Sequence, residues 1–182
     1  MKKILYIFFI LSFSTCAFGS NKENIIKNLD NIKNLSFDFE QNINGKIETG
    51  KCIIEYPKKI FCSYNLANKK ILVSNGKSLV IKTKSGGYQY LLKSTPLDYI
   101  LDKKYLINEI KNLKQRIIND KFINFTFFKN ENEINLFFDK NNFNLIGWQT
   151  LDMYQNLNIT YLSSIKRNLI LKKNTFTLPS IN

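Results

Sequence analysis

Between residues 35 and 43, Leu35, Phe37, Phe39, Gln41 and Ile43 alternate with Ser36, Asp38, Glu40 and Asn42. A period of two sends one set to each side of an extended chain, so this segment is a strand with one wet face. Short extended segments then recur between turn signals. Asn44-Gly45 precedes one over residues 46–56, and another follows over 60–64. Residues 69–74 lead into Asn75-Gly76, the strongest short hairpin signal, and 77–83 follow. Ser85-Gly86-Gly87 turns into 88–92. Strands resume over 116–118, 123–128, 134–138, 145–151 and 157–163, with a last short one at 169–171. Such a chain folds as an antiparallel meander.

Helical periodicity intrudes in few places. Ser20-Asn21-Lys22-Glu23 is a capping box, and Ile25, Ile26, Leu29 and Ile32 then recur at helical spacing. Thr95-Pro96 sets an N-cap and a first helical position for a short helix over 97–102, with Leu97, Ile100 and Leu101 on one side. Residues 105–113 read as a second short helical turn. With no internal linker and no fixed repeat, residues 20–182 form one mainly β (α+β) domain, a barrel or a sandwich.

Residues 1–19 read as a signal peptide: Lys2 and Lys3, an apolar run over 4–13, then Ala17-Phe18-Gly19 with small residues at −3 and −1. Cleavage before Ser20 lowers the formal charge from +13 to +11. Cys16 leaves with the signal, or is a lipid attachment site that would anchor the protein. Export puts Cys52 and Cys62 in an oxidising compartment. They flank Pro57-Lys58-Lys59 symmetrically, so a hairpin there sets them face to face, either bridged or as two buried thiols.

The positive charge invites a nucleic-acid reading, which export and the charge carriers oppose. Nearly all the cations are lysines, and base-reading proteins lean on arginine. Lys69-Lys70 and Lys172-Lys173 read as solvated edges. The chain has no histidine, which excludes histidine-based nucleophile pairs and metal sites. The acids have simple roles: Asp38 and Glu40 share a wet strand face, and Asp98 sits in a helix's first turn. Catalysis, metal and cofactor find no support. A third class is a binding module. Phenylalanines are abundant on the strands, from Phe37 and Phe39 through Phe125, Phe127 and Phe138 to Phe143. They fill a core, or line a concave apolar face not fully filled, as in antiparallel barrels that hold one lipid-like ligand.

Several local patterns converge in order along the chain: Phe39-Glu40-Gln41 after a helix, Gly50 through Tyr56-Pro57 to Tyr64, residues 72–79, and Ser94-Thr95-Pro96-Leu97. Trp148-Gln149-Thr150-Leu151-Asp152 and Phe176-Thr177-Leu178-Pro179 complete the set. In these the chain resembles the LolA family of periplasmic outer-membrane lipoprotein carriers. The resemblance implies an incomplete antiparallel β-barrel, a curved sheet with a lid of short α-helices over an apolar cavity. It further implies a monomeric periplasmic carrier without a cofactor, which takes acylated lipoproteins from an inner-membrane lipoprotein-releasing ABC transporter and delivers them to an outer-membrane receptor lipoprotein. Phe37, Phe39, Ile54, Leu79, Leu97, Ile100 and Trp148 would line cavity and lid. Many members carry an arginine before the proline matching Pro57, where it holds the lid closed; here that latch position is Tyr56. A sensory domain of the same fold, or an anchored receptor if Cys16 is lipidated, are the alternatives.

Overall fold

A computed structural model describes residues 20–129, 132–151 and 155–181. The signal segment and Cys16 lie outside the described residues, as does Asp152. Helix α1 (Asn21–Asp30) begins with the expected capping box: the Ser20 hydroxyl accepts from the Glu23 backbone N–H, and the Glu23 carboxylate accepts from the Ser20 N–H. Six strands follow: β1 (Asn34–Ile43), β2 (Lys46–Glu55), β3 (Lys59–Tyr64), β4 (Ile71–Asn75), β5 (Ser78–Thr83) and β6 (Gly86–Leu91). After a 3-10 turn at Leu92–Ser94 come α2 (Leu97–Ile100) and α3 (Lys103–Asn112). Strands β7 (Arg116–Ile118), β8 (Phe122–Lys129), β9 (Asn132–Asp139), β10 (Leu145–Leu151) and β11 (Leu157–Arg167) complete the chain.

All strands join one 11-stranded antiparallel sheet in the order β6-β5-β4-β3-β2-β1-β11-β10-β9-β8-β7. It is two meanders fused where β1 pairs with β11, a register interrupted by a bulge between Ser36 and Asp38 that bends the sheet. The topology itself places the helices. β6 and β7 are the two edges, and the chain between them must cross the open side, so α2 and α3 are laid over the concave face. Two lysines fasten α3 to α1. Lys103 donates to the Asp30 and Ile32 carbonyls at the end of α1, and Lys22 donates to the Leu113 carbonyl just past α3. Each cation meets the electronegative end of the other helix.

The core is one cluster between sheet and helices, and it holds Ile25, Leu29, Phe125, Phe138, Leu106 and Ile110 fully buried. Residues 168–181 pack on the convex side: Lys59 lies over the Phe176 ring, and Lys82 reaches the Ser180 carbonyl.

Three expectations change. The 105–113 segment is a full helix beginning at Lys103, because Asp102 caps it by accepting from the Tyr105 N–H. Thr95 does not cap α2; its hydroxyl donates back to the Leu92 carbonyl, closing the 3-10 turn, and Pro96 immediately precedes the helix. Residues 169–171 are not a strand. Asn168 adopts φ +53 and its side chain bonds the backbone at Lys33 and Asn31, which turns the chain off the sheet.

Candidate functional site

The register of the first meander arranges the concave face in rows. Leu35, Ile54, Ile60, Ser74 and Leu79 lie opposite one another on successive strands, and this row sits nearest the short helix α2. One step along the strands lie Phe37, Cys52, Cys62, Leu72 and Ile81. Next come Phe39, Gly50 and Tyr64, then Gln41 with Glu48 on one side and Thr160 on the other. Ile43, Asn158 and Thr150 form the last row. The face is apolar at the helix end and polar at the far end.

A cavity of about 500 Å³ opens along this face. Leu79, Ile60, Leu72, Ile81 and Trp148 wall it, with Pro96, Leu97 and Ile100 above. Of the seven residues expected in cavity and lid, Phe39, Leu79, Leu97, Ile100 and Trp148 line it. Phe37 and Ile54 do not: they are buried one layer deeper, Phe37 supporting the Trp148 indole edge-on at 6.3 Å. Phe39 reaches the cavity by lying across β2, where a side chain at Gly50 would meet its ring at 2.7 Å. There it packs edge-on against Tyr64, with centroids 4.9 Å apart.

Cys52 and Cys62 are joined by a disulfide, with Cα atoms 4.1 Å apart, and the bridge forms part of the cavity wall. The sequence leaves open whether they bridge; the direct Cys52–Cys62 pairing on adjacent strands brings them together.

The lid contact is displaced by two residues from its expected place. Tyr56 is half-buried, and its enclosed hydroxyl has no hydrogen-bond partner among the described residues; that enclosure pushes its pKa upward. It packs, and Lys58 makes the connection. The Lys58 ammonium donates to Asp98 of α2 at 2.9 Å and lies 3.8 Å from Asp102. Its backbone N–H donates to the Leu101 carbonyl at 2.7 Å, while its own carbonyl accepts from Ser74 Oγ. Lys58 sits at φ +66, a conformation costly for a side-chain-bearing residue that these contacts hold. The Asp98 hydrogen bond outweighs the opposing effect of burial and raises the Lys58 pKa above its ordinary value. Asp98 is thus the lid half of an ion pair as well as a helix N-terminal acid.

Lys70 is the side chain that sequence reading misplaced. It is not a solvated edge: its side chain is 18% exposed and it lines the cavity. Parity held the signal, since Lys70, Leu72 and Ser74 fall on one side of an extended chain. Lys70 pairs with Glu48 at 2.5 Å and lies over the Tyr64 ring at 4.2 Å. Glu48, only 4% exposed, also meets Lys46 at 3.1 Å. Burial acts to raise the Glu48 pKa, but the hydrogen bonds and charges of the two lysines prevail and hold it below its usual value. Tyr64 donates to Gln41 Oε1 at 3.2 Å, and Gln41 Nε2 donates to Asn158 at 3.1 Å and Thr160 at 3.4 Å. No group of acids and cysteines able to hold a metal occurs among the described residues.

Residues 30–179 match the family model of the outer membrane lipoprotein carrier protein LolA. The chain belongs to the LolA family. No curated protein matches its sequence. Among solved structures it is similar to MucB, at 10% identity and a TM-score of 0.51, over 89% of this chain and 63% of that one. It is also similar to a LolA superfamily protein from Nitrosomonas europaea, at 8% identity and a TM-score of 0.44, over 85% and 96% of the two chains. A putative outer membrane lipoprotein-sorting protein domain from Vibrio parahaemolyticus matches at 10% identity and a TM-score of 0.42, over 86% and 94%. The MucB likeness shows a shared fold. Membership of the LolA family supports lipoprotein binding or carriage in the cell envelope, a binding role rather than catalysis.

Proposed function

We propose that this protein is a periplasmic carrier that shields the acyl chains of lipoproteins between the inner and the outer membrane. The apolar cavity beneath α2 carries the reading: Leu79, Ile60, Leu72, Leu97, Ile100 and Trp148 border about 500 Å³ of space that side chains leave unfilled. That volume is in the range of ligand sites, ~300–1,000 Å³. Burying each methylene contributes ~0.8 kcal/mol, so an acyl chain entering this space is held firmly enough to cross water and loosely enough to be released.

Phe39, Leu79, Leu97, Ile100 and Trp148 touch the chains in this reading, while Phe37 and Ile54 hold the wall behind them. The lid opens by breaking the Lys58 contacts to Asp98 and Asp102. An inner-membrane lipoprotein-releasing ABC transporter is the donor, and an outer-membrane receptor lipoprotein the acceptor.

The test is co-expression with an acylated lipoprotein and with the same lipoprotein lacking its acylated cysteine. A soluble complex with the acylated form alone is the expected result. Failure to retain it, or equal retention of the unacylated form, would overturn the proposal.

A further inference from the structure

The polar end of the cavity is built too specifically to be a rim. Lys70 is the one charged side chain on the cavity wall among the described residues. Placing an ammonium beside an apolar cavity is costly unless it is compensated. Glu48 and the face of Tyr64 compensate it here, at 2.5 Å and 4.2 Å. One lysine would neutralise that carboxylate, yet Glu48 has two, with Lys46 at 3.1 Å on its other oxygen. The Lys46–Glu48–Lys70 cluster therefore carries a net positive charge at the open end. An ammonium has three donors, and Glu48 takes one of those of Lys70.

The neighbouring groups extend this character across the wall. Tyr64, Gln41, Thr160 and Asn158 form a hydrogen-bonded series from β3 through β1 to β11. These rows lie at the opposite end of the strands from Ile60, Leu79 and the helix α2. A molecule filling the cavity meets apolar surface at one end and a cation with amide and hydroxyl groups at the other.

We infer that Lys70 and the Gln41 series form a head-group site for an anionic amphiphile, which lies with its acyl chain under α2 and its anionic group at Lys70. This rests on the cavity being an acyl site, and it adds a direction and a charge preference. The chemistry recognised is a phosphate or carboxylate joined to an acyl chain. An anion gains a charge-assisted hydrogen bond from Lys70 and the attraction of the net positive cluster, both in a partly desolvated site.

The experiment compares two probes with the same chain and ester: 1-palmitoylglycerol 3-phosphate and 1-palmitoylglycerol. Binding to the purified protein is read from the emission of Trp148, the only tryptophan of the chain and itself a cavity residue. The phosphate probe should bind about tenfold more tightly at low salt, and the margin should shrink as salt screens it. In Lys70→Met, and in Lys70→Gln as an independent replacement, the two affinities should fall within about twofold of each other. Lys70→Arg should keep the preference. Equal binding of the two probes by the unaltered protein, or a preference that survives both neutral replacements, would overturn the head-group site while leaving the acyl cavity standing. Failure of both probes to bind would overturn the acyl cavity and this inference together.

Discussion

The two halves of this sheet have similar apolar inner faces and opposite fates. Around β8 and β9 the inner face is filled: Ile123, Phe125, Ile134, Leu136 and Phe138 are fully buried, with Phe125 and Phe138 edge-on at 5.9 Å. Tyr105 of α3 packs on Phe127 above them. Around β3, β4 and β5 the inner face carries Ile60, Cys62, Leu72, Leu79 and Ile81, and a cavity of about 500 Å³ remains. Alternation decides which side chains point inward, but side-chain volume decides whether the space is filled. Phe125, Phe138 and Tyr105 of α3 close one half, while the small lid residues Ser94, Thr95 and Pro96 leave space over the other.

That contrast can be broken experimentally. Phe138→Ala in the filled half should cost ~3–5 kcal/mol by chemical denaturation, since the ring has no slack around it. Leu79→Ala should cost clearly less, ~2 kcal/mol at the low end for such a truncation, because its side chain already borders empty space. Equal costs would mean that the open half is packed in solution. Reducing the Cys52–Cys62 bridge should remove ~2–3 kcal/mol of stability, as expected for a loop this short. If cooperative unfolding is unchanged in reductant, the bridge does not hold the open wall.

The lid gives a smaller effect. Lys58→Met should cost up to ~1 kcal/mol, as its side chain is 31% exposed. Amide exchange should quicken over α2 and stay unchanged over β8 and β9. Because pairing raises the Lys58 pKa, its contribution is fully present below the ordinary lysine value of ~10.4. It is lost as pH rises through the elevated folded value, so lid protection, relative to the intrinsic base-catalysed exchange rate, should fall only at strongly alkaline pH. Glu48 has the opposite sign. Its lowered pKa makes its contribution complete above ~4.3 and lost as pH falls through the folded value, so stability in chemical denaturation should decline on the acid side. Lys70→Met should shrink that acid-side slope.

The sequence made the strands legible because alternation and turn residues act locally. Asn75-Gly76 ends β4, and Leu35 through Ile43 form β1 with Leu35, Phe37 and Phe39 inward. The capping box at Ser20 and Glu23 was equally local. What escaped depends on distant partners. Lys70 reads as a solvated cation until β2 brings Glu48 beside it, and Lys58 reads as a turn residue until α2 brings Asp98 within 2.9 Å. Phe37 and Phe39 have the same parity, yet only Phe39 reaches the cavity; Phe37 is buried against Trp148. Depth within a face is set by neighbouring strands and is not written in the period.

Trp148 offers the most direct test of the acyl cavity, since it is the single tryptophan and lies on the cavity wall. Palmitate brominated along its chain should quench its emission saturably, at one chain per protein, while bromide ions at the same concentration should quench far less. Emission that stays unquenched by the brominated chain, or falls only as it does with bromide, would contradict an acyl chain held between the sheet and α2.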